Sequence, residues 1–233
     1  MTQRGNILFL ILLAVVLFAA LSYAVTSSTR GGGNDVSDEK AKTEAAQIMQ
    51  FGTLMENTVM RLLTSGNCSD SQITFSNTVY KTYAGAALDT SNPNSPPDKH
   101  CQVFDQAGGG VSAQVMPANT LTSPSGGLPT AGHVQFLSIK WEGVGTSAPD
   151  LVMRVPFLNA KTCQQIDQAI YGSNAILQDG IGGWAYYNGG YSGTGVIGDE
   201  EPMANSRRSG CFQWPGGGLG ANDIHYYHVL IAR

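Results

Sequence analysis

Charged residues are scarce in this 233-residue chain. Lys and Arg number 13 and Asp and Glu number 17, which together make 13% of the sequence, whereas glycine alone contributes 29 residues. Such a composition is typical of a loop-rich secreted or surface domain rather than a cytosolic helical one. Beyond residue 30 the chain carries 11 basic and 17 acidic residues, a net charge of −6. Without a basic patch to hold a phosphate backbone, nucleic-acid binding is not expected.

Motifs of catalysis and metal binding are also missing. The four cysteines form no CxxC pair and lack zinc-site spacing. There is no GxSxG elbow and no P-loop. His225 and His228 form an HxxH on a predicted strand, where residues three apart face opposite ways and cannot readily share a metal ion. We therefore expect a non-enzymatic protein with no cofactor and no metal.

The longest uncharged stretch is the apolar run Ile7–Val25, which also lacks proline. As a helix it would reach about 28 Å, close to the ~30 Å hydrocarbon core of a bilayer. Arg4 precedes it, so the N-terminus is expected in the cytoplasm and the rest in the periplasm or outside. Three interpretations stay open: a plain single-span anchor, a secretory signal cut before Val25, and the helix of a processed precursor.

The first five residues, Met-Thr-Gln-Arg-Gly, followed by Asn6 and the apolar helix, resemble the short basic leader of type IV prepilins and pseudopilins. The resemblance implies cleavage between Gly5 and Asn6 by a prepilin peptidase. It also implies residence in the inner membrane and packing of the N-terminal helix against copies of itself or other pilin-like subunits. Leu10 stands where the family usually carries Glu as the fifth mature residue. This difference favours a minor or initiating subunit over the major one.

The cysteines are Cys68, Cys101, Cys163 and Cys211. An even number behind an export segment predicts two disulfides formed in an oxidising compartment. Three pairings are open, and Cys68–Cys101 with Cys163–Cys211 is favoured because each bond then closes a local loop. The stretch VMRVPFLNAKTCQQI at 152–166 is also similar to the type IVb pilin head, in which a C-terminal disulfide ties such a helix to a late strand. Cys163–Cys211 would match that pattern.

The expected fold is α+β and pilin-like: an N-terminal transmembrane helix, an amphipathic helix, and a mainly antiparallel sheet with disulfide-stapled loops. Along the chain we expect a leader over 1–5, the transmembrane helix over 6–30, a Gly-rich hinge over 31–35 and a head over 36–233. Hydrophobic periodicity and capping residues place the elements of the head. These are the helix Val36–Leu63, strands over Gln72–Tyr80 and Cys101–Gln106, a hairpin of His133–Trp141 and Leu151–Phe157 with one buried face, a helix from the Asn159 cap to Tyr171, and a final strand Asp223–Arg233.

An aromatic, glycine-rich segment at 180–198 is the one surface feature that predicts ligand contact. It contains Trp184, Tyr186, Tyr187 and Tyr191, and flat aromatic faces can stack on a sugar or meet another protein. The sequence therefore gives two functional interpretations. The first is a structural subunit of a type IV pilus or a type II secretion pseudopilus-like filament. The alternative is a membrane-tethered or secreted carbohydrate- or protein-binding domain.

Overall fold

The computed structural model describes residues 15–16, 32–81, 92–116, 133–179, 183–198, 207–214 and 223–233. The chain divides into two compact units, Met1–Lys40 and Ala41–Arg233. In the first unit the described residues are helical at 15–16 and from Gly32, where the long helix of the protein begins inside the predicted hinge. All packing described below belongs to the second unit.

The helices and strands follow one another in a simple order. The long helix α1 (Gly32–Thr64) is followed by a short 3-10 helix (Asp70–Gln72). After them come the strands β1 (Gln135–Trp141) and β2 (Asp150–Val155), the helix α2 (Ala160–Tyr171), and the strands β3 (Leu177–Gln178), β4 (Ala185–Tyr186), β5 (Val196–Ile197), β6 (Ser209–Gln213) and β7 (Ile224–Ile231).

The predicted transmembrane helix is the main correction to the expected fold. None of the helices in the described ranges is both long and apolar enough to cross a bilayer. The helix α1 has the length but not the composition, because it is amphipathic and carries charged residues such as Asp38, Glu39 and Lys40. The predicted segment 6–30, apart from Val15 and Val16, lies outside the described residues, as do the leader 1–5 and the cleavage site.

The sheet is mixed, with antiparallel pairing between its long strands and parallel pairing at two short ones. Its strand order is β3-β6-β7-β2-β1-β4, and β5 pairs with β1. The long strands pair antiparallel, including the predicted β1–β2 hairpin. Two short strands from the later, glycine-rich part of the chain instead join in parallel, β3 on β6 and β5 on β1. Two-residue strands carry little hydrophobic periodicity, so the sequence did not indicate them.

The core lies on both faces of the sheet. Apolar residues at threes, fours and sevens bury one stripe of α1 against the first face, as predicted: Ala41, Ala45, Ile48, Met55, Val59 and Leu62. On the opposite face the Trp141 ring stacks on the Tyr227 ring with centroids 3.6 Å apart, beside Val152 and Phe212. The hairpin therefore buries both of its faces, and the expectation of one buried face was wrong.

Two predicted strands in the first half of the head are absent. Residues 72–80 and 101–106 meet in one isolated parallel bridge, Thr74 with Gln102. The side chain of Asn77 accepts hydrogen bonds from the N–H groups of Val79 and Tyr80 and so bends the chain. The side chain of Asp105 likewise accepts from Ala107 N–H. Such side-chain turns compete with strand pairing, which explains why the alternating sequence does not extend.

Candidate functional site

A glycine brings α1 into close contact with the last strand. A Cβ atom at Gly52 would lie 2.6 Å from Tyr226 Oη and 2.7 Å from His228 Nδ1. Both side chains project from β7 towards the helix, since Tyr226 and His228 are two residues apart on one face. Gly52 thus makes room for two polar groups inside an apolar helix–sheet contact.

These polar groups form a continuous chain of hydrogen bonds. Tyr226 Oη lies 2.9 Å from His228 Nδ1, and His228 Nε2 lies 2.8 Å from Glu56 Oε2. Arg208 reaches the other Glu56 oxygen at 3.0 Å. Burial raises the pKa of Tyr226, which keeps the phenol protonated at neutral pH. We call this chain of hydrogen bonds, from Arg208 through Glu56 and His228 to Tyr226, the relay. Because Tyr226 and His228 are buried, the relay holds α1 on the sheet rather than presenting reactive atoms to a substrate.

The first histidine of the HxxH, His225, lies on the other face of the sheet, as strand alternation predicts. His225 packs between the rings of Phe157 and Phe212, at centroid distances of 6.0 and 5.3 Å. Burial holds its pKa well below the ordinary value, so its ring is neutral. The two histidines therefore have separate surroundings, and only His228 joins a polar network.

The aromatic segment is built into the domain in two pairs. Trp184 and Tyr186 meet edge to face at 5.1 Å, and both are half-buried. Tyr187 and Tyr191 meet at 5.3 Å, but Tyr187 is only 5% exposed. The Tyr191 ring is covered by the Arg233 guanidinium, whose carbon lies 3.9 Å from the ring centroid. Trp184 and Tyr186 thus keep part of their surface available, and the ligand role of the four rings stays a prediction.

Both disulfides join the pairs that the local-loop argument favours. Cys68 bonds to Cys101 and Cys163 bonds to Cys211, with Cα atoms 5.8 and 5.7 Å apart. The first ties the chain just after α1 to the loop at 92–116. The second ties α2 to β6. The predicted pairing is confirmed.

The helix α2 is capped as the sequence predicts, and it places an acid beside the second disulfide. The Asn159 side chain accepts from Lys161 N–H, and Gly172 ends the helix in the left-handed conformation. Asp167, one turn after Cys163, accepts from Cys211 N–H at 2.9 Å. Burial raises the pKa of Asp167 to about 6, although that N–H bond and the Arg207 charge oppose the shift.

The outer edge of α1 leaves large apolar side chains exposed. Leu54 is 44% exposed and Met60 is 46% exposed. Val115, on the loop beside the helix, is 48% exposed. Leu54 also lines two shallow hollows between α1 and residues 109–116. We call Leu54 and Val115, which line one of these hollows together, the helix-edge patch. Apolar clusters of this kind often mark contacts with other proteins.

Sequence reasoning missed both the relay and the helix-edge patch. Glu56 and His228 are 172 residues apart, and only the fold brings them together. The apolar periodicity of α1 predicts a buried stripe, but it does not separate the exposed Leu54 from the buried residues. The predicted processing residues, Gly5 and Asn6, lie outside the described residues.

Comparisons of the chain with protein-family models, with curated proteins and with solved structures find no match in any of the three.

Proposed function

We propose that this chain is an exported structural subunit of a pilin-like filament, assembled at the inner membrane with its head on the periplasmic or outer side. The placement of the Cys163–Cys211 disulfide carries the proposal. It ties a short helix that follows a central strand to a late strand of the sheet, and this is the arrangement that the type IVb resemblance implies.

The packing of the head gives further support. One long amphipathic helix covers one face of the sheet, and the relay from Arg208 through Glu56 to Tyr226 fastens it there. Two disulfides fit a head that matures in an oxidising compartment. A rigid helix–sheet unit suits a structural role, because neighbouring subunits must meet a surface of fixed shape.

We assign the contact between heads to the helix-edge patch. Its two side chains keep nearly half of their surface in contact with water, which is a cost that a neighbouring subunit would remove. Partners in the filament are copies of this chain or other pilin-like subunits. Leu10 stands where the family usually carries Glu, and this difference fits a minor or initiating subunit.

Determination of the mature N-terminus tests this proposal. In cells with a prepilin peptidase, we expect the mature chain to begin at Asn6. A bulky side chain at the cleaved bond, in the variant Gly5→Leu, should leave Met1 in place and serves as the control. A mature chain that begins at Val25 would instead identify a secreted product, and native protein that keeps Met1 would identify a plain anchor.

A further inference from the structure

The first disulfide has a histidine beside it. Candidate ligand atoms of Cys68, His100 and Cys101 all lie within 4.8 Å of one another. Both sulfurs are buried, whereas the His100 side chain is 36% exposed and open to solvent. Two sulfurs and an imidazole are ligands that bind zinc and similar soft divalent metals when the sulfurs are thiolates.

The turn that carries His100 holds it in position. Asp98 Oδ1 lies 2.5 Å from His100 Nδ1. Lys99 between them adopts a left-handed φ of 66°, with its N–H bonded to Pro96 O and its carbonyl to Gln102 N–H. A carboxylate on one ring nitrogen is the usual support of a metal-bound histidine, because it fixes the tautomer and the ring orientation.

The second disulfide provides an internal comparison. Among the described residues, the set at Cys68 is the one group of three or more potential metal ligands. Cys163 and Cys211 instead have Asp167 nearby, whose Oδ1 is already engaged by Cys211 N–H. A metal-binding property should therefore belong to the first cysteine pair and not to cysteine pairs in general.

We propose that reduction of the Cys68–Cys101 disulfide creates a metal site in which the two thiolates and the His100 imidazole bind a zinc-class divalent cation. A dithiol reductant supplies two electrons and two protons to the disulfide and itself becomes a disulfide. Metal binding then displaces the two thiol protons to solvent. Three protein ligands leave a fourth tetrahedral position for water.

Thiols stay reduced in the cytosol, so a newly made chain carries Cys68 and Cys101 in the dithiol form. The bound metal would hold the loop 92–116 against the end of α1 until oxidation replaces it with the covalent bond. The inference rests on the geometry of this loop and is independent of the filament role.

Cobalt(II) is the probe that tests the site, because thiolate-to-cobalt charge transfer reports sulfur ligation directly. We expect the anaerobic, dithiol-reduced full chain to bind one cobalt per molecule with this absorption, zinc to displace it, and the oxidised chain to show none. His100→Ala should weaken binding at least tenfold, and Asp98→Asn should weaken it less. His100→Cys, which restores a third ligand, should recover binding.

Several results would overturn the proposal. One is equal cobalt affinity in His100→Ala and the native chain. Another is equal binding by the reduced chain unfolded in urea, since thiols without a preformed site would then suffice. Absence of charge-transfer absorption in the folded, reduced chain would also contradict it. The variant Cys163→Ala/Cys211→Ala should keep the signal, and loss of the signal in a folded form of that variant would place the metal at the wrong pair.

Discussion

The two disulfides connect regions that are held together in different ways. Around Cys68–Cys101, the described residues between 66 and 116 form no strand, Thr74 and Gln102 meet in an isolated β-bridge, and side-chain turns supply much of the remaining order. Around Cys163–Cys211, the strand β6 pairs with β7 on one side and β3 on the other. We call these the loop region and the sheet region. In the loop region the disulfide takes the place of strand pairing, whereas in the sheet region it adds to strand pairing.

Removal of each disulfide gives the largest expected effect and separates the two regions. The loops closed span 33 and 48 residues, and the chain-entropy relation assigns both bonds about 4 kcal/mol. We expect Cys68→Ala/Cys101→Ala to expose amides at 99–111 to hydrogen exchange while β7 stays protected. Cys163→Ala/Cys211→Ala should instead lower the protection of β6 and β7 together. Identical exchange patterns in the two variants would refute the distinction.

Two glycines allow the same comparison at the surface of α1. Gly52 faces Tyr226 and His228 in the sheet region, whereas a Cβ atom at Gly109 would meet the Val103 carbonyl and lie 2.8 Å from Thr58 Cγ2. We expect Gly109→Ala to lower the free energy of unfolding by about 2–3 kcal/mol, because the Val103 backbone cannot move aside as easily as a flexible side chain. Gly52→Ala should cost about 1–2 kcal/mol, since the better helix propensity of alanine offsets part of the clash.

Denaturant unfolding with hydrogen exchange measures both effects. Gly190→Ala is the matched control, because the nearest atom to a Cβ there is 3.4 Å away, and its stability should stay near that of the native protein. A neutral Gly52→Ala would mean that α1 does not approach β7 as closely as the relay requires.

Acidic groups give the smallest expected effect, with opposite signs in the two regions. In the sheet region the folded-state pKa of Asp167 is raised from 3.8 to about 6 by burial. Folding therefore favours its protonated form, and its contribution to stability is present below pH 4 and lost as the pH rises through 6. Asp167→Asn should remove this decline and be more stable than the native protein by about 1–2 kcal/mol at pH 7.

Asp105 in the loop region serves as the contrasting control. The Ala107 N–H bond and then Lys99 lower its pKa, so its contribution is present at neutral pH and lost on acidification. Stability measured from pH 3.5 to 7.5 should therefore show Asp105→Asn losing stability at neutral pH where Asp167→Asn gains it. If both substitutions changed stability at neutral pH in the same direction, the proposed electrostatic difference between the regions would be wrong.

The sheet region was the more predictable of the two from sequence. Its signals are local: alternation in the β1–β2 hairpin, the Asn159 cap and Gly172 stop of α2, and the β-branched and aromatic run of β7. The loop region misled the same reasoning, because the side chains of Asn77 and Asp105 bend segments whose alternation predicts strands.

Long-range juxtapositions could not be predicted in either region. The contact of Glu56 with His228 depends on how α1 crosses the sheet, and that crossing depends on the missing side chain of Gly52. The approach of His100 to Cys68 depends on the Cys68–Cys101 disulfide, which the sequence favoured without excluding the other two cysteine pairings. In both places the residue types gave no periodic signal, so only the folded chain brings them together.

Incorporation into filaments is the sharpest test of the pilin-like role. The measurement is the amount of this chain in the sheared filament fraction of cells that produce it, with the native protein compared with Leu54→Asp and Asn174→Asp, an exposed control on the loop after α2. We expect native protein and Asn174→Asp to be present equally, and the amount of Leu54→Asp, folded by circular dichroism, to fall at least tenfold. Native protein absent from the filament fraction, or Leu54→Asp incorporated as well as the native chain, would contradict it.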